Sequence, residues 1–208
     1  MSEIKLNLID NSIYTRKLNL DLTVQKISAH NMYEFIRTNF VPDKSGYNGQ
    51  STLSTKLFNK YNYLLYPIPG NHELYYSIKE TFYAALNHSN WNKEKNYYIQ
   101  CWLNFYNKGD YIDWHHHGAP EMHSWHGFYC VDVEPNSFTT YKLPNKSHET
   151  VVNSENNLLV IGPTNGDLHK SSEWEETYPR ITIAFDITSA DILFERNMWQ
   201  THNHWIPI

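Results

Sequence analysis

Three consecutive histidines, His115-His116-His117, follow Asp113-Trp114 in the middle of the chain, far from either end, where a purification tag would sit. In an extended strand, side chains at i and i+2 share a face. His115 and His117 therefore point one way, with Asp113, and His116 points the other. Two imidazoles on one strand face, joined by a third from a distant strand, hold a redox metal and leave positions open. His169 is the candidate for the third. Imidazole suits iron, zinc, copper and nickel alike. The competing reading, in a chain with 12 histidines, is a set of ordinary surface or hydrogen-bonding side chains.

Arg180 is the second chemical signal. It opens a strand-like run, Arg180–Ile187, in which Ile181, Ile183, Phe185 and Ile187 form one apolar face. Arg180, Thr182, Ala184 and Asp186 share the other. A guanidinium facing into a small barrel is costly unless an anion meets it. A carboxylate ligand taken bidentately satisfies it, and the Thr182 hydroxyl can add a bond. The alternatives are a salt bridge to an Asp or Glu of the chain, or exposure at the start of the strand.

These residues need strands to carry them. Residues 97–106 read as one, with Gln100, Trp102 and Asn104 on one face. Residues 111–117, 124–133, 138–143, 157–161 and 180–187 read as others, and turn residues such as Asn107-Lys108-Gly109-Asp110 separate them. Residues 144–156 read as a polar loop. Upstream, residues 4–9 and 18–24 alternate as half-buried strands do, and 29–39 reads as a short helix. The strongest helical pattern is 71–88, with Asn71 as its cap and Leu74, Ile78, Phe82, Ala85 and Leu86 at helical spacing. Many short strands after a helix indicate a mainly β fold, a jelly roll or β-sandwich with helices on one flank.

Composition bounds the rest. The 208 residues fit a single domain, here divided into N-terminal strands and supporting helices (1–95), a β core (96–190) and a C-terminal tail (191–208). Sixteen tyrosines and seven tryptophans suit a β-rich protein. A net charge of −5 argues against a nucleic-acid partner. Cys101 and Cys130 lie in apolar runs and read as buried thiols rather than a disulfide. The start of the sequence lacks an apolar leader pattern, and no run of about 18 apolar residues occurs, so the expectation is a cytoplasmic protein without a membrane span.

The motifs resemble those of the iron(II)- and 2-oxoglutarate-dependent oxygenases, in particular a branch of small members with a His-x-His pattern. Trp102-Leu103-Asn104-Phe105 leads through Gly109-Asp110-Tyr111 to the histidines as that branch's strand, turn and histidine motif do. His126-Gly127-Phe128-Tyr129-Cys130-Val131 resembles its Ser-Gly-x-Tyr-Tyr-Val strand. Leu158–Pro163 with Leu168-His169 resembles the segment delivering the distal histidine, and Arg180–Phe185 resembles the strand that anchors 2-oxoglutarate. Gly46–Ser51 and the helix at 71–88 are similar to the branch's lead-in.

The resemblance implies a double-stranded β-helix (jelly-roll, cupin-like) core, Fe(II), 2-oxoglutarate and O₂. It implies a hydroxylase that converts 2-oxoglutarate to succinate and carbon dioxide while hydroxylating a peptidyl or small-molecule substrate. His115 and His169 would be metal ligands. Arg180 would meet the distal carboxylate of 2-oxoglutarate with help from Thr182, and Asn104 and Tyr129 would be further cosubstrate contacts. The wider family has a carboxylate where His117 stands, so the third ligand is His117, Asp113, Glu121 or water, and a bulge would bring in His116 instead. The loop with Glu121, Met122 and His123 reads as substrate-facing. Trp114, Trp125 and Tyr129 either stack on a substrate ring or fill the core. Two other functions compete: a cupin-like metal enzyme with three histidines and no 2-oxoglutarate, and a non-catalytic jelly-roll binding module.

Overall fold

The computed structural model describes residues 4–40, 55–89, 93–117, 124–144, 146–198 and 204–208. The readings placed on Gly46–Ser51 and on Glu121, Met122 and His123 lie outside the described residues. Two antiparallel sheets face each other across the site. The larger contains β1 (Asn7–Ile9), β2 (Ile13–Lys17), β3 (Tyr97–Tyr106), β4 (Ser124–Asp132), β7 (Leu158–Pro163), β9 (Arg180–Ser189) and β10 (Ile206–Pro207), in the order β1-β2-β7-β4-β9-β3-β10. The smaller contains β5 (Phe138–Lys142), β6 (Thr150–Asn153) and β8 (Leu168–Ser171), in the order β6-β5-β8. This is the expected double-stranded β-helix.

Register decides what faces the site. On β9, Thr182 stands opposite Asn104 of β3 and Cys130 of β4, Ala184 opposite Trp102 and Phe128, and Asp186 opposite Gln100 and His126. Directly opposed residues share a face, so these rows form one wall. The alternation seen in 180–187 is therefore the real division between cavity and core.

The other face of the sheet is covered by α1 (Leu22–Asn39) and α2 (Asn71–Asn87). Leu74, Ile78, Phe82, Ala85 and Leu86 of α2 are buried against it, as their spacing predicts. Phe105 of β3 stacks on Tyr33 of α1 at 3.9 Å between ring centroids. Gly127 marks the tightest point of the sheet, because a Cβ there would sit 2.2 Å from the Val160 carbonyl oxygen and 2.5 Å from the Phe185 ring. Cys101 and Cys130 are buried free thiols, as expected.

Four local expectations change. Residues 18–24 are not a strand: the Asp21 side chain accepts from the Thr23 and Val24 amides and starts α1 at Leu22, so capping overrides a short alternation. Asn71 does not cap α2; Gly70 does, in the left-handed region at φ 84°, and the Asn71 amide instead donates to the Tyr63 and Tyr66 carbonyls. The supposed loop at 144–156 holds β6, whose Thr150 and Val152 are buried while Val151 and Asn153 are exposed. The histidine segment is extended but is not a ladder strand. It joins the smaller sheet through one bridge, in which the His115 amide donates to the His169 carbonyl at 3.0 Å and the His169 amide donates back at 2.9 Å.

Candidate active site

That bridge is what brings the histidines together. It sets His115 beside His169 on β8, and the turn of chain after it delivers His117. One nitrogen from each of His115, His117 and His169 lies within 4.8 Å of the others. Ring centroids are 4.2 Å apart for His115 and His169, 5.0 Å for His117 and His169 and 5.2 Å for His115 and His117. His116 is exposed. The Asp113 carboxylate accepts from the Trp114 amide and is not part of the cluster.

Each Nδ1 faces an oxygen. His115 Nδ1 is 2.7 Å from the Asp113 carbonyl, His117 Nδ1 is 2.6 Å from Asp186 Oδ1, and His169 Nδ1 is 3.3 Å from Asp167 Oδ2. The first two partners fix the tautomer of His115 and His117 and leave Nε2 as the coordinating atom. The set fits a divalent first-row transition ion by its donor chemistry. Burial pushes the His115 imidazole down to about 4, with His117 adding to the effect. Burial, then His115 and His126, hold His169 well below its ordinary value. Both are therefore neutral near pH 7, the form that ligates. Burial would lower His117 as well, but the charge and hydrogen bond of Asp186 outweigh it and raise it.

A second trio shares His169. His126 and Asp167 are each 4% exposed, and His126 Nε2 lies 3.0 Å from Asp167 Oδ2. With His169 they form another set of three donors within 4.8 Å. Asp167 Oδ2 and His169 Nδ1 are buried, and neither completes a well-aligned hydrogen bond. Burial alone would raise the Asp167 carboxyl, but His126 and then His169 hold it well below the usual range. Asp167 does not line the cavity, whereas all three histidines of the first trio do.

Arg180 occupies the other end. It is 1% exposed, and its guanidinium carbon sits 5.0 Å above the Tyr106 ring. Among the described residues its Nη atoms reach only the Ser172 and Ser154 hydroxyls, at 3.4 and 3.5 Å, and its Nε has no partner. No carboxylate pairs with it among the described residues. Thr182 and Asn104, buried at 2% and 5% exposure, line the same cavity next to it.

Tyr129 does not join them. It is an odd-numbered residue of β4, on the face opposite His126 and Phe128, and its hydroxyl donates to Asn157 within the helix-covered core. Trp125 is in that core too. Trp114 lies beneath the Lys142 and Lys170 ammonium groups, at 4.0 and 4.8 Å, and is not a cavity wall. Sequence reasoning gave no role to His126, Asp167 or Asp186. Asp167 precedes His169 by the same two-residue step that links His115 and His117, and Asp186 shares the Arg180 face. Those parities were the available signals.

No protein-family model matches the sequence, and no curated protein matches it. Solved structures do match in fold. A prolyl hydroxylase from Trichoplax adhaerens, in complex with a hypoxia inducible factor peptide fragment, superposes with a TM-score of 0.58 at 10% identity, over 88% of this chain and 86% of its own. The α-ketoglutarate-dependent epimerase SnoN of nogalamycin biosynthesis gives 0.57 at 10% identity, over 86% and 77%. The collagen prolyl hydroxylase of Paramecium Bursaria Chlorella virus-1, solved with 2-oxoglutarate, gives 0.53 at 13% identity, over 87% and 98%. At these identities the likeness establishes a shared fold alone, the double-stranded β-helix.

Proposed function

We propose that this protein is an Fe(II)- and 2-oxoglutarate-dependent oxygenase that hydroxylates a C–H bond of a peptidyl or small-molecule substrate. The observation that carries the reading is a fully buried guanidinium, with no anionic partner among the described residues, lining the same cavity as a three-imidazole cluster. A buried, unpaired charge is retained at a cost unless a ligand completes it.

His115, His117 and His169 would hold the iron. When bound, iron and 2-oxoglutarate supply the oxidising chemistry: O₂ is consumed, 2-oxoglutarate leaves as succinate and carbon dioxide, and one oxygen atom each enters succinate and the substrate C–H bond. The chain's own part is to bind and orient. Arg180 would take the distal carboxylate, with Thr182 and Asn104 beside it, and so aim the keto-acid end toward the imidazoles. Burial beside the Tyr106 ring keeps water from the guanidinium, which strengthens its pairing with an anion.

The all-imidazole donor set favours a second reading, a cupin-like enzyme that binds metal but not 2-oxoglutarate. Arg180 separates the two. Anaerobic titration with Fe(II), with and without 2-oxoglutarate, tests them. The first reading expects a visible charge-transfer band only when both are present. Stoichiometric iron binding with no spectral response to 2-oxoglutarate contradicts it.

A further inference from the structure

Asp186 stands on the cavity face of the central strand β9, opposite Gln100 of β3 and His126 of β4. Neither neighbour claims it: the Gln100 amide donates to the Phe58 carbonyl, and His126 Nε2 lies against Asp167. The ion pair described for Asp186 is with His117, Nδ1 to Oδ1 at 2.6 Å, with side chains 15% and 24% exposed. The His117 ring is held from another direction by Trp102, stacked 5.9 Å away at 17°. His126 stacks on the His117 ring more closely, at 4.9 Å and 21°, so the imidazole lies among rings with its Nδ1 on a carboxylate.

Neutral imidazoles cancel none of the charge of a divalent ion, and burying that charge without compensation is costly. A carboxylate bonded to the far nitrogen of a ligating histidine raises the basicity of the ligand and sets its tautomer. We infer that Asp186 is a positioning residue for the metal: it accepts the Nδ1 proton of His117, turns Nε2 toward the ion, and supplies one ring away the negative charge that a three-imidazole set lacks. The inference rests on the metal reading of His115, His117 and His169 given above. It assigns Asp186 no contact with metal or substrate.

The test uses the full-length protein freed of metal. Anaerobic titration with Co(II) or Fe(II) gives the metal Kd, and ¹⁵N NMR of the histidine rings, at mildly alkaline pH, gives the His117 tautomer. Asp186→Ala is expected to weaken metal binding by roughly 10- to 100-fold and to lose the Nδ1–H form of His117. Asp186→Asn keeps an acceptor oxygen but no charge. It is expected to keep the tautomer and fall between the wild type and Asp186→Ala in affinity. A merely structural Asp186 would lower the thermal stability of the metal-free protein and leave tautomer and Kd unmoved, and that outcome overturns the inference. A wild-type protein that binds no metal, or a His117→Ala variant that binds it as tightly, instead overturns the metal reading beneath it.

Discussion

At one end of the cavity, each of three imidazoles turns its Nδ1 toward an oxygen of the chain, from Asp113, Asp186 or Asp167. At the other end, the Arg180 guanidinium is buried at 1% exposure and meets two distant hydroxyls. The first end has its outer partners built in and offers inward-facing nitrogens. The second end has a strong donor set and, among the described residues, no acceptor of matching charge. Carboxylates stand behind two of the histidines and, among the described residues, none meets the arginine, which leaves that place to something that arrives from outside. The contrast argues for a cation held by the protein and an anion brought as a cosubstrate.

The largest expected effect is at His169, which belongs to both trios. His169→Ala is expected to abolish metal-dependent turnover and stoichiometric iron binding, measured by equilibrium dialysis. His126→Ala separates the trios: with the ion on His115, His117 and His169 it keeps one bound iron, while loss of iron moves the ion to the His126 and Asp167 side.

Next is the arginine end. Arg180→Ala is expected to weaken 2-oxoglutarate binding by about 2–5 kcal/mol while leaving the metal Kd in place, read by calorimetry. Arg180→Met sharpens the comparison from the stability side. Replacing a buried, unpaired charge by an apolar side chain is expected to stabilise the ligand-free protein by ~1–4 kcal/mol. Destabilisation instead would mean that the hydroxyls of Ser154 and Ser172 already satisfy the guanidinium.

The metal-free protein should also respond to acid. The folded value of His115 is about 4, against about 6.5 for an unfolded histidine, and His169 is shifted the same way. Between those values the unfolded chain binds more protons, so stability falls as pH drops from about 6.5 toward 4. His117 opposes this, because its raised value contributes stability below the unfolded pKa that is lost as pH rises through the folded one. With two groups against one, the melting temperature in chelator is expected to decline on acidification through that window. A flat profile contradicts the burial assigned to the imidazoles. The smallest effect is at Tyr129→Phe, expected to cost about 1 kcal/mol of stability through its lost bond to Asn157 and to leave 2-oxoglutarate affinity unchanged.

The arrangement of β3, β4 and β9 was legible because period-two alternation runs through them, up to a register shift between Cys130 and Asp132 at the end of β4. It named Gln100, Trp102 and Asn104 as sharing a face, and Thr182 and Asp186 as sharing Arg180's. The same parity, applied to β4, puts Tyr129 on the core side, and reading it as a cosubstrate contact set a family likeness above that geometry. The histidine segment was less legible. Its two outer imidazoles converge, yet through one bridge to β8 rather than through a strand of its own. The outer carboxylates were hidden for a different reason. Asp186 and Asp167 reach their histidines from 69 positions downstream and from a turn, and neither pairing follows from local periodicity.

The central claim is that both ends of the cavity act on one molecule. Calorimetric titration of 2-oxoglutarate into wild type and Arg180→Ala, each with and without anaerobic Fe(II), tests it in a single cycle. The account predicts tight binding only where iron and the guanidinium are both present, with the two contributions coupled. Binding that ignores the metal, or that survives the loss of Arg180 undiminished, would contradict it.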